Sequence, residues 1–213
     1  RGLDIAIRGA VRRWTKLPKD TAVGFFHADT RDGGMGIPSL EATVPLLKVR
    51  RLTKMAASQD PVVMDITAHE DFRKKIDKWS QPTKIRGVPA LNEPIRREAW
   101  ANALYQTFDG KGLVHASEVP FVHDWVSSGA LASTGAKYNA SLAIRAGTLP
   151  TKTRRSRGRK GEKDLWCECC GEGTFESLYH IVQCCPRTHG MVVARHNRVL
   201  KVVAEALAEK GFN

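Results

Sequence analysis

The 213 residues predict a mainly α chain: a series of helices, a small Cys/His metal module and a terminal helix. Three observations lead there. Apolar residues recur every three to four positions over most of the chain, while strictly alternating stretches are few. Hydrophobic residues make up 42% and aromatic residues 7%, enough core formers to exclude wholesale disorder. Helix punctuation also recurs: Asp60-Pro61 and Asn92 before Pro94 are start signals, and Asp109-Gly110-Lys111-Gly112 is a stop.

The first helix is amphipathic, with Leu3, Ile7, Val11 and Trp14 at helical spacing and Arg8, Arg12 and Arg13 on other faces. Lys16 falls in its last turn and Pro18 closes it. The short apolar run Ala22-Val23-Gly24-Phe25-Phe26-His27 leads into Asp32-Gly33-Gly34-Met35-Gly36-Ile37-Pro38. Such glycine density demands an ordered turn or a close backbone approach. His27, inside an apolar run, reads as a packed, hydrogen-bonded histidine. A second helix is expected over about residues 45–58, with Pro45 at its first position and Lys48, Arg50, Arg51 and Lys54 among its apolar residues. Asp60 caps a third, expected to run unbroken from Pro61 towards Trp79. Residues 81–90 read as loop, and Asn92 with Pro94 opens a helix through Tyr105 and Phe108. Shorter helical patterns cover 119–126 and 137–145.

Composition shifts after Leu149-Pro150. Six of the nine residues from Lys152 to Lys160 are basic and none is acidic, the pattern of a solvated basic loop. A last amphipathic helix is expected from about Thr188 to Glu209, with Val192, Val199, Val203, Ala206 and Leu207 mostly on one side. Nothing in the sequence supplies a partner for that side, so the chain is expected to be a segment of a longer protein.

The charge balance, 34 Lys+Arg against 22 Asp+Glu for a net +12, favours a polyanionic partner. No run of 18 apolar residues is present to cross a bilayer. No stretch pairs a basic face with exposed Trp or Phe, so nucleic acid is favoured over a membrane surface. Arg154, Arg155, Arg157, Arg159 and Lys160 form the strongest electrostatic candidate site, because guanidinium groups pair bidentately with phosphate. A nuclear-import signal is a competing role for the same run. Arg8, Arg12, Arg13, Lys48, Arg51 and Lys54 are secondary candidates for phosphate contact, each competing with an ordinary solvated helix face. No nucleophile–base pair stands out, and no catalytic residue is assigned.

All five cysteines lie between Cys167 and Cys185. A disulfide framework would spread them along the chain; crowding them points to metal ligation in a reducing compartment, and no secretory signal pattern is visible. Cys167 and Cys170 are separated by two residues, nine more lead to His180, and four more to Cys185. Two cysteines at that spacing can bite one ion from a tight turn, with Gly171 and Gly173 supplying the bend and a short helix over 176–183 presenting His180. Cys169 and Cys184 leave the ligand set open. On an unbroken helix Cys184 would share the face of His180. Pro186, however, disfavours the α conformation at Cys185 and ends the helix there, which favours Cys185 as fourth ligand. Three thiolates and one imidazole complete a tetrahedral shell, so the expected ion is a structural zinc, contributing on the order of 10 kcal/mol to folding its module. His189 and His196 then read as helix-surface residues.

Two sets of residues carry a family resemblance. Gly24-Phe25-Phe26-His27-Ala28, followed by Asp32 to Ser39, resembles the thumb of non-LTR retrotransposon reverse transcriptases of the ribosomal-DNA-inserting type, which bear a restriction-like endonuclease. Leu149-Pro150-Thr151 with Ser156-Arg157-Gly158-Arg159 is similar to the basic segment before their zinc knuckle, and His180 to Gly190 with Arg195-His196 resembles the knuckle itself. The resemblance implies a protein acting in target-primed reverse transcription, with an RNA template and a DNA target or primer duplex as partners. It also implies that the palm aspartates, the nuclease site and the magnesium they use lie outside this chain. The expected organisation is a thumb-like region at 1–80, a helical linker at 81–150, a basic loop and CCHC knuckle at 151–190, and a helix at 191–213 entering the endonuclease domain. A stand-alone zinc-knuckle nucleic-acid-binding module is the alternative, although the nine-residue interval before His180 is longer than retroviral knuckles use.

Overall fold

The computed structural model describes residues 1–119, 122–128, 134–159 and 164–211, and its contacts divide the chain into two units, Arg1–Thr148 and Leu149–Asn213. The mainly α expectation is borne out in both. The first unit contains α1 (Gly2–Thr15), α2 (Val23–His27), α3 (Leu40–Ala56), α4 (Pro61–Ala68), α5 (Glu70–Ser80), the strands β1 (Lys84–Ile85) and β2 (Val88–Pro89), α6 (Glu93–Tyr105), α7 (Trp125–Ser128) and α8 (Gly135–Arg145).

Its core is centred on one of the shorter helices, the five-residue α2. Phe25 and Phe26 of α2 are fully buried with Leu104 of α6 and Leu142 of α8. The approach of α2 to α6 is backbone to backbone, since a Cβ on Gly24 would lie 2.6 Å from the Leu104 nitrogen. The glycine-rich run then doubles back over α2. Met35 N donates to Phe25 O at 2.8 Å, Gly36 N to Ala28 O at 2.8 Å and Ile37 N to Phe26 O at 2.9 Å, satisfying carbonyls that the end of α2 leaves open. A Cβ on Gly34 would sit 2.1 Å from Ala28 O, so the glycine permits this internal crossing.

Guanidinium groups pin the same run from two helices. Arg97 of α6 pairs bidentately with Asp32, at 2.8 and 3.0 Å. Arg145 of α8 donates to Gly33 O at 2.8 Å, Thr30 O at 2.7 Å and His123 Nδ1 at 2.7 Å. His27 is packed and hydrogen-bonded as its context suggested. Its Nδ1 donates to Ile37 O at 2.8 Å, its Nε2 accepts from Arg8 at 2.9 Å, and its ring lies 4.7 Å from that of Trp100. Burial, with help from the Arg8 charge, holds its pKa below the usual histidine value.

Several expected boundaries move, each for a reason visible in the contacts. The second expected helix starts at Leu40 instead of Pro45. The buried Asp4 of α1 accepts from Leu40 N, Glu41 N and Ser39 Oγ at 2.8, 3.0 and 2.9 Å and caps α3 from a distance. Pro45 is thereby left inside α3, where it cannot bond to Glu41 O; Thr83 Oγ1 donates to that carbonyl instead, at 3.1 Å. The single helix expected from Pro61 breaks at His69, whose extended backbone ends α4 and starts α5, with its Nδ1 accepting from Asp71 N at 3.3 Å. The loop at 81–90 holds the β1–β2 hairpin, turned by Arg86 (φ 46°) and Gly87 (φ 89°). The helix opened by Asn92 ends at Tyr105, short of Phe108. The helical pattern at 119–126 is met in part by α7, and positions 120–121 lie outside the described residues.

The second unit contains α9 (Lys152–Arg155), a ribbon of β3 (Trp166–Cys167) and β4 (Gly171–Phe175), a π turn over His180–Cys184 and α10 (Pro186–Glu209). The start of the expected basic loop is thus a helical turn, because Thr151 Oγ1 caps it by accepting from Arg154 N. The terminal helix begins two residues before Thr188, with Pro186 at its first position, and carries exposed Val199, Leu200, Val203 and Leu207. No helix among the described residues is long and apolar enough to cross a membrane.

Candidate metal centre

β3 and β4 pair antiparallel, Cys167 opposite Gly171, and the tight bend between them carries Cys169 and Cys170. The backbone N–H groups of Cys169 and Cys170 point at Cys167 Sγ. The polypeptide next enters the π turn, whose first amide is held by Ser177 Oγ accepting from His180 N at 3.1 Å. The turn closes with Cys185 N donating to His180 O at 2.8 Å, a five-residue step. That wider turn stacks Cys185 over His180, where an α turn would have stacked Cys184. Pro186 then keeps Cys185 extended (φ −69°, ψ 127°) at the start of α10. Thr188 Oγ1 ties the junction together by donating to Ile181 O at 2.6 Å.

These elements bring one ligand atom each from Cys167, Cys170, His180 and Cys185 within 4.8 Å of one another. Cys167 Sγ lies 3.8 Å from Cys185 Sγ, and Cys170 Sγ lies 3.4 Å from His180 Nε2. Bond lengths of about 2.3 Å to sulfur and about 2.0 Å to nitrogen at tetrahedral angles give S···S edges of about 3.8 Å and S···N edges of about 3.5 Å. Those two edges therefore match a tetrahedral ion site, and the other ligand atoms lie close enough for one ion to draw them in. Cys167, His180 and Cys185 are buried, whereas Cys169 and Cys184 are exposed and outside the cluster.

The electrostatics also fit a cation. Burial works against the Cys167 thiolate, but the amides of Cys169 and Cys170, with His180 and Cys185, outweigh it and bring its pKa to about 7. Burial and the neighbouring Cys167 push Cys170 the other way, to about 12. Protein dipoles alone thus support one thiolate here and resist a second, and a divalent ion removes that resistance.

The basic candidates fall into different environments. Arg155, Arg157 and Arg159 are exposed, Arg154 is buried, and Lys160 lies outside the described residues. In the first unit Arg13, Arg51 and Lys54 are exposed, and Lys48 holds its ammonium 3.8 Å over the Trp79 ring. Arg12 is half-buried, donates to Thr21 O at 3.1 Å and covers Phe26, while Arg8 is bonded to His27. Those two guanidinium groups are engaged inside the fold. The sequence reading missed the stacked pair Trp166 and Phe175, which sits on the ribbon beside Cys167. The available signal was an aromatic residue directly before the first metal-ligand cysteine, with a second one just after the glycine-rich bend.

A helical unit followed by a Cys3His cluster able to hold a metal ion defines the class: a mainly α chain with a small metal module. No family model matches the chain. It is 37% identical over 215 residues to the Retrovirus-related Pol polyprotein from type-2 retrotransposable element R2DM of Drosophila melanogaster, covering 99% of this chain and 20% of that protein. It is 35% identical over 209 residues to the Pol polyprotein from type-1 retrotransposable element R2 of Nasonia vitripennis, covering 98% and 19%. To the corresponding R2 protein of Popillia japonica it is 32% identical over 212 residues, covering 98% and 42%. Over nearly its whole length the chain is thus a homologue of R2 retrotransposon Pol polyproteins, which bears out the resemblance drawn from the thumb-like and knuckle motifs. It spans about a fifth of the length of the first two relatives.

Proposed function

We propose that this chain is the nucleic-acid-holding part of a retrotransposon-encoded reverse transcriptase/endonuclease acting in target-primed reverse transcription. The thumb-like region, helical linker and zinc knuckle would grip the RNA template and the DNA target or primer duplex between a polymerase site and a nuclease site, in the nucleus. One observation carries this reading most: identity to R2 Pol polyproteins extends over 98–99% of the chain, through both the helical unit and the Cys3His module.

Within that function the metal is a structural zinc held by Cys167, Cys170, His180 and Cys185. Bound there, it fixes the fold of the module and, with four protein ligands, offers no position for a reacting water. The remaining work belongs to side chains that bind and orient. Arg155, Arg157 and Arg159 meet phosphates beside the module, and Arg13, Arg51 and Lys54 do so on the helical unit. No catalytic step is assigned to residues of this chain.

The test is binding of the full zinc-loaded chain to RNA–DNA hybrid, duplex DNA and single strands by fluorescence anisotropy across a salt series. Log affinity should fall linearly with log salt, and replacing Arg155, Arg157 and Arg159 together by Ala should reduce that slope by about 2–3. A chelator should expose residues 164–190 to protease while leaving α1–α6 protected. An unchanged slope would make the basic run a linker, and unchanged protease sensitivity would remove the zinc.

A further inference from the structure

The ribbon that delivers Cys167 to the metal cluster carries something else on its other face. Cys167 is 3% exposed, but its neighbour Trp166 is 36% exposed and the cross-strand partner Phe175 is 51% exposed. The two rings lie parallel, 6° between planes, with centroids 4.7 Å apart. Stacked rings cover one face of each other, so the area still exposed lies on their outer faces and edges, open where apolar area would ordinarily be covered.

The basic helix is anchored to the residues that flank this stack. Lys152 N donates to Glu176 Oε1 at 2.9 Å, and Thr153 donates to Glu176 O through its amide at 3.3 Å and its hydroxyl at 2.9 Å. Glu176 directly follows Phe175. Lys152 Nζ reaches Asp164 at 2.7 Å, and Glu176 N donates to Leu165 O at 2.8 Å, both just before Trp166. α9, with Arg155, is therefore tied to the segments that flank the aromatic pair, and Arg157 and Arg159 follow within one further turn of chain.

An exposed aromatic pair on a ribbon to which a basic, arginine-bearing helix is anchored suits one ligand chemistry. We propose that Trp166 and Phe175 form a stacking platform for an unpaired nucleobase of single-stranded nucleic acid, with Arg155 and Arg157 taking the adjacent phosphates. The proposal rests on the nucleic-acid-binding reading above and adds the kind of strand. A base inside a duplex has both faces covered by its neighbours, so only an unpaired or end base can offer a face to this surface. RNA and DNA share that face.

The test uses the full zinc-loaded chain and single-stranded RNA, single-stranded DNA and duplex DNA probes of about 12 units, within the range of known single-strand sites. Trp166→Ala should weaken single-strand binding about 5- to 100-fold and duplex binding less than about 2-fold, with the salt slope kept because phosphate contacts remain. Trp166→Phe should restore most of the loss. A scan of the single-stranded probes with one abasic position at a time supplies the complementary perturbation, removing a base and no charge. One or two positions should weaken binding to the unmodified chain, with no added loss on Trp166→Ala. Comparing the RNA and DNA scans identifies which strand occupies the platform.

Equal losses for single strand and duplex, or an abasic scan without a sensitive position, would overturn the platform while leaving general binding intact. Absence of salt-dependent binding to every probe would instead remove the broader reading and the platform with it. Zinc content of each variant guards against misfolding. If Trp166→Ala loses zinc, the abasic scan on the unmodified chain and on Trp166→Phe decides alone.

Discussion

Replacing Asp4 tests whether one carboxylate organises the start of the helical unit. It sits 2% exposed in the first turn of α1 and accepts from Ser39 Oγ, Leu40 N and Glu41 N, at 2.9, 2.8 and 3.0 Å. It thereby favours two helix N-termini at once, its own and that of α3. A hydrogen bond to a charged acceptor contributes about 1.5–3 kcal/mol, and three sharing one group are not additive, so the loss in Asp4→Ala is set at about 3 kcal/mol. Asp4→Asn keeps one acceptor oxygen but turns an NH2 towards a donor, for about 2 kcal/mol. For a unit of this size each kcal/mol moves the midpoint by roughly 2–4 °C, so the Ala variant should unfold roughly 6–12 °C lower by far-UV circular dichroism. The pH dependence gives a second check. Burial raises the Asp4 pKa, but the Glu41 and Leu40 amides and the Ser39 hydroxyl outweigh it, leaving the folded value below the usual 3.8. The contribution is then complete above the unfolded carboxylate value and is lost as pH falls through the lower folded one. The stability gap between the parent chain and Asp4→Asn should therefore close at acid pH. A gap that stays constant down to about pH 2, or an Ala variant within about 0.5 kcal/mol of the parent, would refute the capping role.

Three further outcomes can be checked directly. Cys184→Ser should keep one zinc per chain, whereas Cys185→Ser should weaken zinc by at least about 100-fold in chelator competition, since one of four ligands to a site worth about 10–16 kcal/mol is lost; the reverse order would reassign the ligand. Thr83→Val should cost about 1 kcal/mol in urea unfolding by removing the side-chain donor to Glu41 O. It should cost nearly nothing beside Pro45→Ala, which restores an amide for that carbonyl, and an equal cost in both backgrounds would break the link. His27 should titrate by NMR below its ordinary value of about 6.5, because the folded state favours its neutral form. The stability from neutral His27 is present above the unfolded value and disappears as pH falls through the folded one, so a His27 titration at or above 6.5 would contradict its burial beside Arg8.

What could be read from sequence was what is local. Helix existence followed from apolar spacing, and the cysteine and histidine intervals matched the groups later found together in space. Boundaries depended on partners far along the chain, Asp4 for Leu40 across 36 positions and Thr83 for Glu41 across 42. The inward face of α1 was misread for a related reason. Leu3 and Trp14 are 68% and 73% exposed, while Asp4 and Thr15 are buried and Arg8 and Arg12 are half-buried, because that face is held by polar contacts that hydropathy cannot register. His69 could not announce a break, since histidine is unremarkable in a helix until its ring nitrogen accepts a bond from Asp71. Similarly, the net charge of +12 overstates what is free to bind, because Arg97 and Arg145 are engaged with Asp32 and with the Gly33 and Thr30 carbonyls.

The five-residue step from His180 to Cys185 gives the module a tolerance to errors of chain length. Deleting one residue between them would shorten the turn to the ordinary four-residue α step, and the Cys185 thiol would still arrive above the imidazole. Inserting one residue there would carry Cys184 to the five-residue position, with Cys185 between it and Pro186. The paired cysteines thus act as a vernier, two marks one residue apart against a single histidine. A change of one residue in either direction leaves a cysteine four or five residues after His180.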